Sequence, residues 1–186
     1  MPNPITENLL EQFIRNAEEA AATVEKVKRD AVALNDCLLA ATLDDKLVLF
    51  AQPDDLDEQL FLKFRSNAKV VVNPTNEQLK TIKTGITDAF CAVASTGSVC
   101  VAITKNLSSP ISMLTRKHIV IVDVNTIVPM PRDVFSEEYA GGKGLKRSFS
   151  FITGPSATAD MGPLVRGVHG PGKLHIIIME QADGKY

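Results

Sequence analysis

The chain has 186 residues, enough for one domain with a substantial core. Its 45% hydrophobic and 23% charged residues suit a globular protein, and a formal net charge of −2 supplies no basic footprint for nucleic acid. No apolar run approaches the roughly 20 residues of a membrane span. The N-terminal MPNPITENLL lacks the basic and apolar regions of a signal peptide, so a cytoplasmic location is expected. Cys37, Cys91 and Cys100 stand singly in apolar sequence without CxxC spacing. They indicate no disulfide framework, metal site or iron–sulfur motif and read as buried, inert thiols.

Between residues 6 and 34, Leu10, Phe13, Ile14, Ala17, Ala21, Val24, Val27 and Ala31 recur on one face, which predicts a single long helix capped by Thr6. Its alanine-rich stripe suits close packing, either on the domain itself or on another subunit's helix. Residues 1–40 are therefore read as an N-terminal helical segment and 41–186 as an α/β domain, one domain overall. Residues 46–52 (KLVLFAQ) predict the first strand. Pro53-Asp54-Asp55 breaks it and opens a helix through Leu60, Phe61 and Phe64. A short buried strand follows at 68–72, then a weak helical turn at 76–83.

Residues 89–94 and 98–103 predict a hairpin with Gly97 at its turn. A short helix over 110–115, capped by Ser108 or Ser109, precedes a buried strand at 118–122. Pro129, Pro131 and Asp133 start a helix reaching Tyr139. Alternating strands and helices with one hairpin predict a mixed, mostly parallel sheet flanked by helices. Residues 140–147 (AGGKGLKR) read as a flexible loop carrying Lys143, Lys146 and Arg147, without Walker A spacing. A solvated loop and a lid over the C-terminal site are both open readings.

Eight of the 11 glycines fall between residues 141 and 172. Strands are predicted at 149–152 and 173–179, with Thr153-Gly154-Pro155-Ser156, a short helical pattern and Gly167-Val168-His169-Gly170-Pro171-Gly172 between them. A strand, a turn and a helix start leave backbone N–H groups free for an anion, helped by the Ser156 and Thr158 hydroxyls. The alternative is plain capping by Ser156 or Thr158, with Asp160 in the first turn. Asp160 repels a phosphate and better suits a sugar hydroxyl, a cation or Lys143. His169, flanked by glycines, is either an acid, base or donor to a ligand, or a loop histidine bonded to backbone. His118 and His175 read as structural. Ser156, Asp160 and His169 do not make a triad, because no G-x-S-x-G elbow is present.

The segment ITGPSATADMGPLVRGVHGPGKLHIIIME, with GITDAFCAVASTGSVCV upstream, resembles the two hallmark segments of the LUD-domain proteins, the LutC/YkgG lactate-utilisation family. The resemblance implies the fold shared by ribose-phosphate isomerases, glucosamine-phosphate deaminases and CoA transferases, the NagB/RpiA/CoA transferase-like fold. It also implies an accessory or ligand-binding subunit of a system turning L-lactate into pyruvate. Iron–sulfur clusters would sit in partner subunits and no cofactor in this chain; a small anionic ligand and a homodimer also fit. Candidate ligand-binding residues are Thr96, Gly97 and Ser98 with Gly154, Ser156, Thr158, Asp160, Gly167, His169 and Gly170. Ser95 stands where the family usually has an acidic residue, so a glutamate nucleophile of the CoA-transferase type is missing. Ala157 and Gly162 also depart from the family's polar and acidic preferences. The alternatives are a stand-alone enzyme on a phosphorylated sugar or CoA ester, or a regulatory small-molecule sensor.

Overall fold

Parallel strands dominate the computed structural model, which describes residues 4–103, 107–158 and 164–180. Among the described residues the helices are α1 (Pro4–Glu19), α2 (Ala31–Ala41), α3 (Leu62–Arg65), α4 (Asn76–Thr81), α5 (Ser108–Leu114) and α6 (Glu137–Ala140). The first strands are β1 (Thr23–Val27), β2 (Val48–Phe50), β3 (Val70–Val71), β4 (Thr84–Ala89), β5 (Cys91–Val93) and β6 (Ser98–Ala102). The remainder are β7 (Lys117–Asp123), β8 (Ile127–Val128), β9 (Phe149–Ile152), β10 (Ala157–Thr158), β11 (Val165–Arg166) and β12 (Lys173–Met179).

The main sheet runs β1-β12-β7-β4-β2-β3 and is parallel at every pairing. Its central strands read KHIVIVD and KLHIIIM because a parallel strand covered on both faces must be apolar on both. Val120, Val122, Ile176 and Ile178 point to one side, against Phe13 and Ala17 of α1 and the β5–β6 hairpin. Ile119, Ile121 and Ile177 point to the other, against Leu34 and Leu38 of α2 and the Phe61–Phe64 turn. Each of these fully buried isoleucines contributes roughly 2 kcal/mol of apolar burial. A second sheet, β8-β5-β6-β9, lies over the α1 side and holds the antiparallel pairings that the hairpin led one to expect.

The helix predicted from residue 6 to residue 34 is two helices with a strand between them. α1 closes with a Schellman pair, Ala22 N–H donating to the Ala17 carbonyl at 3.0 Å and Ala21 N–H to that of Glu18 at 2.8 Å. Ala21 takes the left-handed position (φ 67°), usually a glycine's, so the residues carry no stop signal. The next five residues, TVEKV, pair along β12 and become the sheet's edge, and Asp30 then caps α2 through the N–H groups of Val32 and Ala33. Thr6 lies inside α1 rather than capping it.

Three smaller expectations change. β4 was not foreseen as a strand: TGITDA carries a glycine and an aspartate, poor strand formers, yet it is buried along its whole length. Gly85 is needed there because a Cβ would lie 2.5 Å from Ile111 of α5. α5 begins at Ser108 with no side-chain cap, so neither Ser108 nor Ser109 caps it. Ala157 and Thr158, at the start of the helical pattern read after Ser156, form β10, paired antiparallel with β11, and residues 159–163 of that pattern lie outside the described residues.

Candidate functional site at the sheet's switch point

From β2 the chain moves outward to β3, and from β4 it moves the other way to β7 and β12. Connections therefore diverge at the carboxyl ends of β2 and β4, the place where open α/β sheets leave a crevice. Asp88, one residue before the end of β4, organises that crevice. Its Oδ2 accepts the backbone N–H groups of Asp54, Asp55 and Leu56 at 2.9, 2.8 and 3.2 Å, which pins the segment leaving β2. Burial pushes the Asp88 carboxyl above the usual carboxylate range; the three N–H bonds oppose this and the Asp55 charge adds to it.

Asp88→Ala is expected to lower stability by about 2 kcal/mol, because one buried and two partly buried donors lose their acceptor. Asp88→Asn keeps one acceptor oxygen and should cost less. Urea unfolding of the two variants separates the outcomes, and equal losses would deny the carboxylate its anchoring role.

Asp55 faces the other way and meets two cations. Lys143 Nζ lies 2.7 Å from its Oδ1 and Arg147 Nη1 2.5 Å from its Oδ2. The Arg147 guanidinium also stands 5.0 Å above the Phe90 ring, which meets Phe149 edge-on at 5.1 Å. These cations arrive on the loop read as flexible from sequence. Gly141 and Gly142, both left-handed (φ 58° and 61°), turn it back over the sheet. Beside Asp55, Glu58 accepts from the Gln52 amide and lies 3.9 Å from Arg65. A crevice of about 510 Å³ opens next to it, lined by Gln52, Arg65, Asn73, Pro74 and Leu107.

The residues singled out by sequence lie elsewhere. Ser156 N–H donates to the Pro171 carbonyl and Gly167 N–H to the Ser156 carbonyl, both at 2.8 Å, so the Gly154–Ser156 and Gly167–Gly170 loops are bonded to each other. Thr153 Oγ1 is 2.7 Å from Ser98 Oγ, itself 2.7 Å from Thr96 Oγ1, which joins the hairpin turn to the same patch. Gly97 (φ 63°) and Gly154 (φ 67°) admit the end of α1: a Cβ would stand 2.2 Å from Ala17 N and 2.0 Å from the Ala20 oxygen. The close approach that the glycines permit is thus to the chain's own backbone. His169 is exposed, Thr158 sits in β10, and Asp160 lies outside the described residues, as does Gly162. Lys143 meets Asp55, and its pairing with Asp160 falls outside the described residues.

A cleft of about 650 Å³ borders this patch at the amino ends of β1, β7 and β12, with Pro155, Arg166, Lys117, Lys173 and His175 on its walls. Lys117 is bound to Asp45 (2.7 Å) and to the Ala41 carbonyl (3.0 Å). His175 Nδ1 lies 2.8 Å from Thr23 Oγ1, and burial lowers its pKa. Buried His118 bonds Thr87 Oγ1 at 2.9 Å. Burial pushes the Cys37 thiol up to about 12, and the Cys91 thiol with burial raises Cys100, which makes both poor nucleophiles. Among the described residues no group of three or more His, Cys, Asp or Glu is placed to hold a metal ion, and no helix is long and apolar enough to cross a membrane.

Sequence reasoning missed Asp55, Asp88 and Phe90 as site residues. Asp88 lies within GITDAF, the segment that carried the family likeness, and that was the available signal. The meeting of Asp55 with Lys143 and Arg147 has none, because 88 and 92 residues separate the partners.

The chain matches the LUD domain over residues 10–179. It is similar to "Lactate utilization protein C" of Bacillus subtilis (strain 168), 34% identical over 99 residues, covering 51% of this chain and 41% of that protein. The protein of the same name from Halalkalibacterium halodurans is 35% identical over 100 residues, with 52% and 44% covered. The matched stretch therefore spans less than half the length of these relatives. The crystal structure of a duf162 family protein from Deinococcus radiodurans superposes with a TM-score of 0.70 at 19% identity, covering 94% of this chain and 98% of that one. That likeness establishes a shared fold, and with the domain matched over nearly the whole length, the chain belongs to the LUD-domain family.

Proposed function

We propose that this chain is a ligand-binding subunit of a lactate-utilisation system, and that it holds a small anion at the carboxyl ends of β2 and β4. The observation that carries the reading is the convergence of Lys143 and Arg147, from one glycine-hinged loop, over the switch point. Two cations side by side suit a carboxylate or a phosphate, and the Arg147 guanidinium stands over the Phe90 ring. The relatives' shared name supplies the system. Removing two electrons from a 2-hydroxy acid needs an acceptor, and in this reading iron–sulfur partner subunits provide it. Cys37 and Cys100, buried and held protonated, are unsuited to that task.

Calorimetric titration with L-lactate, pyruvate, inorganic phosphate and CoA tests the site. At least one should bind, and Lys143→Gln with Arg147→Gln should weaken it about tenfold or more, the loss of charge-assisted bonds. No binding at millimolar concentration, or binding indifferent to both substitutions, would remove the site. With lactate and a dye acceptor, turnover is expected only when iron–sulfur partners are co-expressed. Turnover by the purified chain alone would replace the subunit with a stand-alone enzyme.

A further inference from the structure

The segment that leaves β2 sets its own acidic side chains against the cations near the switch point. Residues 54–58 read Asp-Asp-Leu-Asp-Glu. Asp55 takes Lys143 and Arg147, and Glu58 faces Arg65, so three cations around the switch point each face a carboxylate of this one segment. The two oxygens of Asp55 are used separately, Oδ1 by Lys143 and Oδ2 by Arg147. The cations are therefore already spaced for a two-oxygen anion. The Asp55 side chain is only 9% exposed, while those of Lys143 and Arg147 are 41% and 28% exposed. The acid is enclosed and the bases remain open to solvent.

The position of the segment does not depend on these ion pairs. Asp88 holds it through three backbone N–H groups, and Asp57 caps the Glu58–Phe61 turn through the Gln59 N–H. The loop that brings the cations is attached more loosely. It turns through two left-handed glycines, a Cβ at Gly141 would meet nothing within 4 Å, and Leu145 is 70% exposed. Gly144 rests against Val134 and Phe135, Gly142 N–H donates to the Ser136 carbonyl at 3.1 Å and Lys146 lies 3.4 Å from Glu137, all on the neighbouring short helical turns. The two ion pairs and the Phe90 contact reach across to the sheet side. An anchored carboxylate under a movable pair of cations is an exchangeable arrangement.

Resting on the anion site proposed above, we infer that Asp55 is an internal stand-in for the ligand. Lys143 and Arg147 leave its carboxylate for the carboxylate or phosphate of a bound small molecule, and Arg147 keeps its place over the Phe90 ring during the exchange. The resting site is thus self-occupied, and any ligand competes with Asp55. No covalent bond is made or broken; one anion replaces another on the same two donors.

Asp55→Asn removes the competing charge and keeps the backbone N–H that Asp88 accepts. With inorganic phosphate as the probe at low ionic strength, this variant should bind about tenfold or more tightly than the wild-type chain, since two charge-assisted bonds no longer compete. Adding Lys143→Gln and Arg147→Gln to it should abolish the gain. Trypsin supplies a second readout, because Lys143, Lys146 and Arg147 all lie in or beside the loop. Cleavage there should rise in D55N, and phosphate should suppress it at lower concentration than in wild type. Asp55→Ser carries the same expectations if D55N loses cooperative unfolding. Wild-type binding that depends on Lys143 and Arg147, with no tightening in D55N or D55S, overturns the stand-in and leaves the anion site. Absence of phosphate, carboxylate and CoA binding in wild type and both variants overturns the two together.

Discussion

Replacing Gly154 with alanine is expected to destabilise the protein by about 4 kcal/mol, against about 1 kcal/mol for Gly141→Ala. Both glycines are left-handed, with φ of 67° and 58°, so both substitutions carry the same backbone cost. Only Gly154 faces a wall. Its Cβ would lie 2.0 Å from the Ala20 carbonyl oxygen, and a backbone oxygen cannot move aside by changing rotamer. Ala20 is also tied in, at the end of α1 where the chain closes before β1. Moving it shifts the start of the edge strand that pairs with β12. Thermal and urea unfolding of the two variants measures the difference. Equal losses would mean that the loop and α1 do not touch as described.

Acidification provides the other large effect, through His118. Burial lowers its pKa from 6.5 to about 3, and its ring is enclosed in β7 between β4 and β12. Above the unfolded value the imidazole is neutral in both states and contributes no pH dependence. Between 6.5 and about 3 the unfolded chain binds a proton that the folded chain refuses, so stability falls as the pH falls. The slope is about 1.4 kcal/mol per pH unit, which gives a loss of roughly 3 kcal/mol from about pH 6.5 to about pH 4.5. Asp88 acts in the opposite sense, because its raised pKa favours the folded state as protons are added. His175, lowered by burial, acts in the same sense as His118. The comparison that isolates His118 is therefore wild type against His118→Gln, which cannot titrate but can still bond Thr87. The variant should be less stable at neutral pH and lose about 3 kcal/mol less on acidification. Parallel pH profiles for the two proteins would show that the ring is not desolvated.

The two residues differ in how far the sequence reached. His118 was read as structural because it opens an apolar run, and it is fully buried. Gly154 was read as part of a turn offering backbone N–H groups to an anion, and what stands against it is the end of α1. A glycine cluster reports that something comes near the backbone, and the packing of α1 against Gly97 and Gly154 answers what. The same limit explains the long helix that proved to be two. Val24, Val27 and Ala31 continue the helical stripe, while Thr23, Val24 and Val27 suit a strand equally well. The open edge of β12 decided between them by offering five residues of backbone pairing.

By itself the sequence determined the parts whose burial leaves a one-dimensional trace. KHIVIVD and KLHIIIM are apolar throughout because both faces are covered, and the hairpin turn shows its glycine. The α/β class follows from such runs alternating with helices, since a parallel sheet needs crossovers on its faces. The tertiary structure alone decided the strand order and, with it, the switch point between β2 and β4. Asp88 looks like an ordinary polar residue until β4 is set beside β2, where its carboxylate gathers three N–H groups. Asp55, Lys143 and Arg147 look like solvated charges until the glycine loop is folded back over the sheet. Local pattern records how each segment is buried, whereas a site is made by segments far apart in the chain, and their meeting depends on the order in which the strands are laid.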